Sequence, residues 1–238
     1  MKDSAQSLPL NCAIGLTAVL FTRVVVAADT DRTVAELFTS QGCSSCPPAD
    51  AVAGRLRTDP AVIVLSFHVN YWDGPQWRDP FSSQAVTDRQ YAYGRALGES
   101  TVFTPQLIVN GTHSLIGSQE SGIHDAIAAA RRIALPVKVD LSRQPDGTFA
   151  LTTKGPALSA DLWEVAYVQH TVTEIRGGEN GGRRLDTFND VTRIRRLGAF
   201  SSGTLSLPAL IPPANGLAVI VQTPGLGKIL GAAAYEVR

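Results

Sequence analysis

Two cysteines stand two residues apart at Cys43-Ser-Ser-Cys46. At that spacing the sulfurs can close a bridge within one local turn, or present two thiolates to a metal. A thiol is a nucleophile only as thiolate, and its free value near ~8.5 is lowered at a helix start and in Cys-x-x-Cys geometry. The chain has three cysteines in 238 residues. The third, Cys12, lies in an N-terminal stretch expected to be removed, which would leave one pair. A bridge closing two intervening residues restrains little unfolded chain, so the pair is better explained by chemistry than by stapling. Three uses stay open: dithiol/disulfide exchange, an inert local bridge on a binding scaffold, or a copper or zinc site. A metal would want further soft or imidazole ligands. None of the four histidines, His68, His113, His124 and His170, is closely spaced with the cysteines.

The N-terminus has the layout of an export signal. Lys2 is followed by an apolar run over residues 12–21 and then Val24-Val-Val-Ala-Ala28, with small residues placed for cleavage after Ala27 or Ala28. Residues 1–28 are therefore read as a signal peptide, with a periplasmic or secreted mature chain. The apolar run is short for a membrane span, so no stable membrane insertion is expected after cleavage. The sequence is 44% hydrophobic and 18% charged, with zero formal net charge. That composition can bury a core and lacks the basic excess of a general nucleic-acid binder.

The elements that must position the cysteines follow from periodicity and punctuation. Residues 34–38 read as a strand and 49–56 as a helix. The β-branched run 61–69 suits a strand buried on both faces. Residues 82–97 read as a helix with a serine cap and Gly98 as terminator. A strand over 102–109 leads into Asn110-Gly111, a hairpin signal, and a short partner over 114–116. An alanine-rich helix over 121–132 closes the first half. From Pro136 onward, strand-like runs over 137–141, 148–153, 163–173, 217–221 and 229–237 alternate with turn residues. This second half reads as a separate antiparallel, sandwich-like β domain. The expected layout is residues 29–134 for an α/β domain and 135–238 for the β domain.

A Cys-x-x-Cys between strand and helix in a βαβ setting is the thioredoxin-like redox arrangement. The segment Glu36-Leu-Phe-Thr-Ser-Gln-Gly-Cys-Ser-Ser-Cys-Pro-Pro-Ala-Asp50 resembles the opening of a thioredoxin-like family of exported bacterial proteins catalogued as a domain of unknown function. His68-Val-Asn-Tyr-Trp-Asp73, Trp77-Arg-Asp-Pro-Phe81, Phe103-Thr-Pro-Gln-Leu-Ile-Val-Asn-Gly111 and Gly178-Glu-Asn-Gly-Gly-Arg183 resemble it too. The resemblance implies a thioredoxin-like α/β domain in the first half. By position it makes Cys43 the exposed attacker and Cys46 the buried resolver, and it implies a cis Thr104–Pro105 bond facing them. No organic cofactor is expected, since the cysteines carry the electrons. The partners implied are protein or small-molecule thiols and disulfides.

Other residues are candidates for the same site. Trp72 and Trp77, in an aromatic loop, are read either as lining a substrate groove, with Asp73 able to move protons, or as a loop folded over its own aromatic residues. His68 ends the central strand and is read either as a proton carrier or ligand at the site, or as a hydrogen-bonded strand end. Glu179-Asn-Gly-Gly-Arg-Arg184 is read as a solvated glycine-rich hairpin, or as a loop bringing Arg183 or Arg184 to a thiolate. Pro47-Pro48 should push Cys46 out of the helical region and delay the helix to about Pro48.

Overall fold

The computed structural model describes residues 32–236. The expected export signal lies outside them. Eleven strands and three helices are formed among these residues. In chain order they are β1 (Thr33–Thr39), α1 (Pro47–Leu56), β2 (Val62–His68), α2 (Gln84–Leu97), β3 (Gln106–Val109), β4 (His113–Ile116) and α3 (Glu120–Arg131). There follow β5 (Lys138–Arg143), β6 (Phe149–Lys154), β7 (Asp161–Glu174), β8 (Arg184–Ala199), β9 (Gly203–Leu207), β10 (Gly216–Gln222) and β11 (Ile229–Glu236).

Eight strands join one mixed sheet in the order β11-β10-β7-β8-β2-β1-β3-β4, and β5-β6-β9 form a second, three-stranded sheet. β1 runs parallel to β2, and β2 parallel to β8; the other neighbours are antiparallel. This overturns the expected thioredoxin-like α/β domain followed by an all-β domain. The protein is mostly β, and its large sheet runs continuously through both halves of the chain.

The element responsible is β8, a polar strand of 16 residues. It pairs along its length with β7, and it meets β2 through the Ser66↔Asp190 bridge. Two side-chain bonds reinforce the junction: Ser66 Oγ donates to Phe188 O at 2.7 Å, and Asn189 Nδ2 donates to Val64 O at 2.8 Å. β2 carries no apolar-versus-polar alternation because both of its faces are covered, as the run 61–69 suggested.

Successive side chains of a strand point to opposite faces, and the cores divide accordingly. Ala35 and Leu37 of β1 face α1 and α3, with Val52, Leu56, Ile123 and Ile127. Val34 and Phe38 face α2, with Tyr93, Tyr167 and Ile220. β10 is shared in the same way. Ala218 and Ile220 belong to this second core, while Leu217, Val219 and Val221 pack against Phe149 and Leu151 of the small sheet.

Local signals act where expected. Ser83 caps α2 by accepting from Val86 N, and Gly98 ends it at φ +71°. Asn110 and Gly111 both take positive φ in the β3–β4 turn.

Candidate functional site

After β1 the chain winds into α1 through consecutive tight turns. Ser40 O accepts from Cys43 N, Cys43 O from Cys46 N, and Cys46 O from both Ala49 N and Asp50 N. Those last two bonds hold Cys46 in the right-handed helical region as the N-cap, with φ −80° and ψ −35°. The helix therefore starts at Pro47, one residue earlier than the proline pair suggested. The two carbonyl bonds outweigh the steric bias against a helical residue before proline.

Cys43 and Cys46 are disulfide-bonded, with Cα atoms 5.4 Å apart. Both residues are fully buried, while Ser44 and Ser45 are exposed. The expected contrast between an exposed first and a buried second cysteine is thus absent. Ser45 Oγ lies 3.3 Å from Cys43 Sγ, and the Thr104 hydroxyl donates to the same sulfur at 3.5 Å. Thr104 in turn accepts from Trp72 Nε1 at 2.7 Å. The Thr104–Pro105 peptide is cis. Cys43, Thr104 and Trp72 are brought into one chain of contacts.

Trp77 stands on the wall of a neighbouring cleft of about 180 Å³, together with Gly42, Trp72, Gly178 and Glu179. Its Nε1 is buried with no protein acceptor. Asp73 makes no bond to the cysteines. Its carboxylate accepts from Asp79 N at 3.1 Å and from Ser82 Oγ at 2.6 Å, closing the loop over residues 73–82.

The tip of the β7–β8 hairpin clamps the disulfide loop. Buried Asn180 donates through Nδ2 to Gln41 O at 3.0 Å and Cys43 O at 2.9 Å. The Glu179 carboxylate accepts from Ser44 N at 3.0 Å, and the hydrogen bonds of the Ser44 hydroxyl and backbone hold it below the ordinary glutamate range. Arg183 turns away and donates to Asn180 Oδ1. The contact between the glycine-rich hairpin and the cysteines is therefore made by Glu179 and Asn180, not by its arginines. A side chain at Gly177 would run into the Gln76 carbonyl, so this close approach needs glycine.

Beneath the loop lies a buried ionisable group. His68 Nδ1 is 2.7 Å from Asp79 Oδ2, and its Nε2 is 3.1 Å from Asp190 Oδ1. Burial alone would depress the imidazole, but the two carboxylates outweigh it and raise His68 well above 6.5. Burial likewise works against ionised Asp79, and the charged imidazole with two backbone N–H donors overcomes it, so Asp79 is lowered. Asp50, one turn into α1 from Cys46, is different. Burial pushes it up to about 7 against the opposing pull of His68 and of the Thr39 hydroxyl bond. Of these four, sequence reasoning singled out only His68. Asp50 and Asp79 lay within quoted segments, whereas Asp190 carried no local signal.

The site combines three features that bear on disulfide chemistry. The sulfurs sit at a helix N-terminus, where the dipole favours a thiolate. Two hydroxyls lie within reach of Cys43 Sγ, and a carboxyl that titrates near neutrality lies on the same helix as Cys46. Among the described residues no group of three or more His, Cys, Asp or Glu is arranged to hold a metal ion.

Fold and site together define a mixed-sheet protein with a buried local disulfide at a helix start, clamped by a distant hairpin. The chain belongs to the family described as Protein of unknown function (DUF1223), whose model matches residues 34–222. It is similar to a crystal structure of an Agrobacterium tumefaciens protein solved by the Northeast Structural Genomics Consortium. That pair shares 30% identity with a TM-score of 0.78, over 89% of this chain and 97% of the other. It is also similar to HBP35 of Porphyromonas gingivalis, at 17% identity and TM-score 0.61, over 87% of this chain and 76% of that one. The second likeness concerns the fold alone. A search of curated proteins gives no match.

Proposed function

We propose that the protein is an exported thiol–disulfide oxidoreductase working through Cys43 and Cys46. The observation that carries this reading is a two-residue disulfide at the start of α1, with the Thr104 and Ser45 hydroxyls at the Cys43 sulfur. In the oxidised form, a substrate thiolate attacks Cys43 Sγ. The S–S bond breaks, and its electron pair leaves on Cys46 Sγ. A second substrate thiol then attacks the mixed disulfide and releases Cys43 as thiolate. The substrate departs oxidised by two electrons, and the protein gains two electrons and two protons. Substrates are protein or small-molecule thiols, and the reverse direction uses the same steps.

The test is exchange of a model disulfide by wild type, Cys43→Ser and Cys46→Ser. Wild type should turn over, and Cys43→Ser should lose turnover. Equal rates for wild type and Cys43→Ser refute the enzyme reading. N-terminal sequencing of the exported chain tests cleavage after Ala27 or Ala28.

Complete burial of both cysteines favours a second reading, an inert bridge on a binding scaffold. It predicts that dithiothreitol reduces the folded protein only as fast as the protein unfolds. The exchange reading predicts reduction much faster than unfolding.

A further inference from the structure

A cavity of about 420 Å³ opens between α2, β7, β8 and the β10–β11 turn. Its lining shares no residue with the disulfide site. The volume lies in the range of small-molecule sites. Ala85, Ala92, Trp163, Ile194 and Leu226 make most of its wall apolar.

Two polar groups in this wall lack a partner. Arg89 is buried and spends Nε and Nη2 on Glu36, Tyr93 and Gln222, leaving Nη1 unpaired. Its guanidinium lies 5.3 Å from the Trp163 ring centre, and the indole Nε1 of Trp163 is also buried without an acceptor. An unmet buried donor costs free energy, and both of these are donors on one cavity. A complementary ligand supplies acceptors.

The lining charges are already compensated. Three arginines, Arg89, Arg195 and Arg196, line the cavity against two aspartates, Asp88 and Asp161. Asp161 is already bonded to Arg196, and Asp88 accepts from Gln84. Arg195 is bonded to Glu164 just behind the wall. From the paired unmet donors and the apolar wall, we infer that this cavity binds a small monocarboxylate with an apolar tail. The carboxylate takes the Arg89 and Trp163 donors, and the tail lies against Ala92, Ile194 and Leu226. Both donors are shielded from solvent, so binding shifts the wall slightly. Its irregular part is the turn with Gly225 and Leu226 at positive φ.

Octanoate serves as the probe, titrated calorimetrically into the full chain at pH 7, with octylamine as a control of equal tail length. Saturable one-site binding of octanoate and none of octylamine is expected. Trp163→Phe keeps the ring and removes the donor, and should weaken binding about tenfold. Ala92→Trp fills the space and should abolish binding with the fold intact. If Ala92→Trp does not fold, a Trp72→Phe/Trp77→Phe variant leaves Trp163 as the sole tryptophan, and octanoate should change its emission. Non-saturating heats, equal binding of the amine, unchanged affinity in Trp163→Phe, or an unmoved Trp163 signal would each overturn the assignment.

Discussion

Asp50 is the residue where burial has the clearest chemical consequence. Burial pushes its carboxyl up to about 7 in the folded state, against 3.8 for an ordinary aspartate. The folded protein thus holds this proton more tightly than the unfolded chain. Stability from this site is full below about pH 4 and drains away as pH rises to about 7, at about 1.4 kcal/mol per unit of displacement. Asp50→Asn keeps an acceptor for Thr39 and removes the titration. It should raise the melting temperature at pH 8 by several degrees and change little at pH 4; an equal shift at both would refute the buried-proton account. His68 has the same sign. Its raised value stabilises fully below about pH 6.5, and that contribution is lost as pH climbs through the folded value. His68→Gln leaves Asp79 and Asp190 buried without their cation and should cost about 3–5 kcal/mol in urea unfolding. A loss under 1 kcal/mol, well below that estimate, would mean water reaches the site.

The element that matters most to the disulfide is the β7–β8 hairpin. Its tip supplies Asn180, whose two bonds satisfy the Gln41 and Cys43 carbonyls. Asn180→Ala leaves the Gln41 carbonyl without that donor, at about 1–3 kcal/mol for a buried group, while the Cys43 carbonyl keeps its bond from Cys46 N. The loop should open more often, and native-state reduction by dithiothreitol should accelerate about tenfold, the equivalent of about 1.4 kcal/mol. Unchanged reduction would show that the hairpin does not gate access. The signal for this contact was faint in the sequence. Glu179-Asn-Gly-Gly reads as a solvated turn, and nothing local says that a loop 137 to 139 positions earlier lies beneath it.

For the whole molecule, the shared sheet makes a mechanical claim. Phe38 and Phe67 from the first half pack in one core with Tyr167, Val191 and Ile220 from the second. Removing either half would expose this core, so calorimetry should give one cooperative transition. Two resolved transitions would mean that the halves fold separately. The expected α/β fold followed by an all-β fold failed at β8. Arg184-Leu-Asp-Thr-Phe-Asn-Asp-Val-Thr-Arg-Ile-Arg-Arg-Leu-Gly-Ala has no apolar run, because one side of the strand is solvated and studded with arginine. Without that strand, nothing in the pattern links 137–236 to β2.

Local chemistry was legible from residue types alone. The cysteine spacing, the capped α2 with its glycine stop, the Asn110-Gly111 turn and the doubly covered β2 all follow from short-range rules acting within a few residues. The cis Thr104–Pro105 bond came with the family resemblance. Tertiary structure decided what the cysteines are surrounded by. It buried Cys43 as deeply as Cys46, set His68 between Asp79 and Asp190, and brought Asn180 onto the Cys43 carbonyl. Those partners lie 11 to 137 positions apart. Desolvation and long-range hydrogen bonding depend on the packed chain, so no local pattern encodes them.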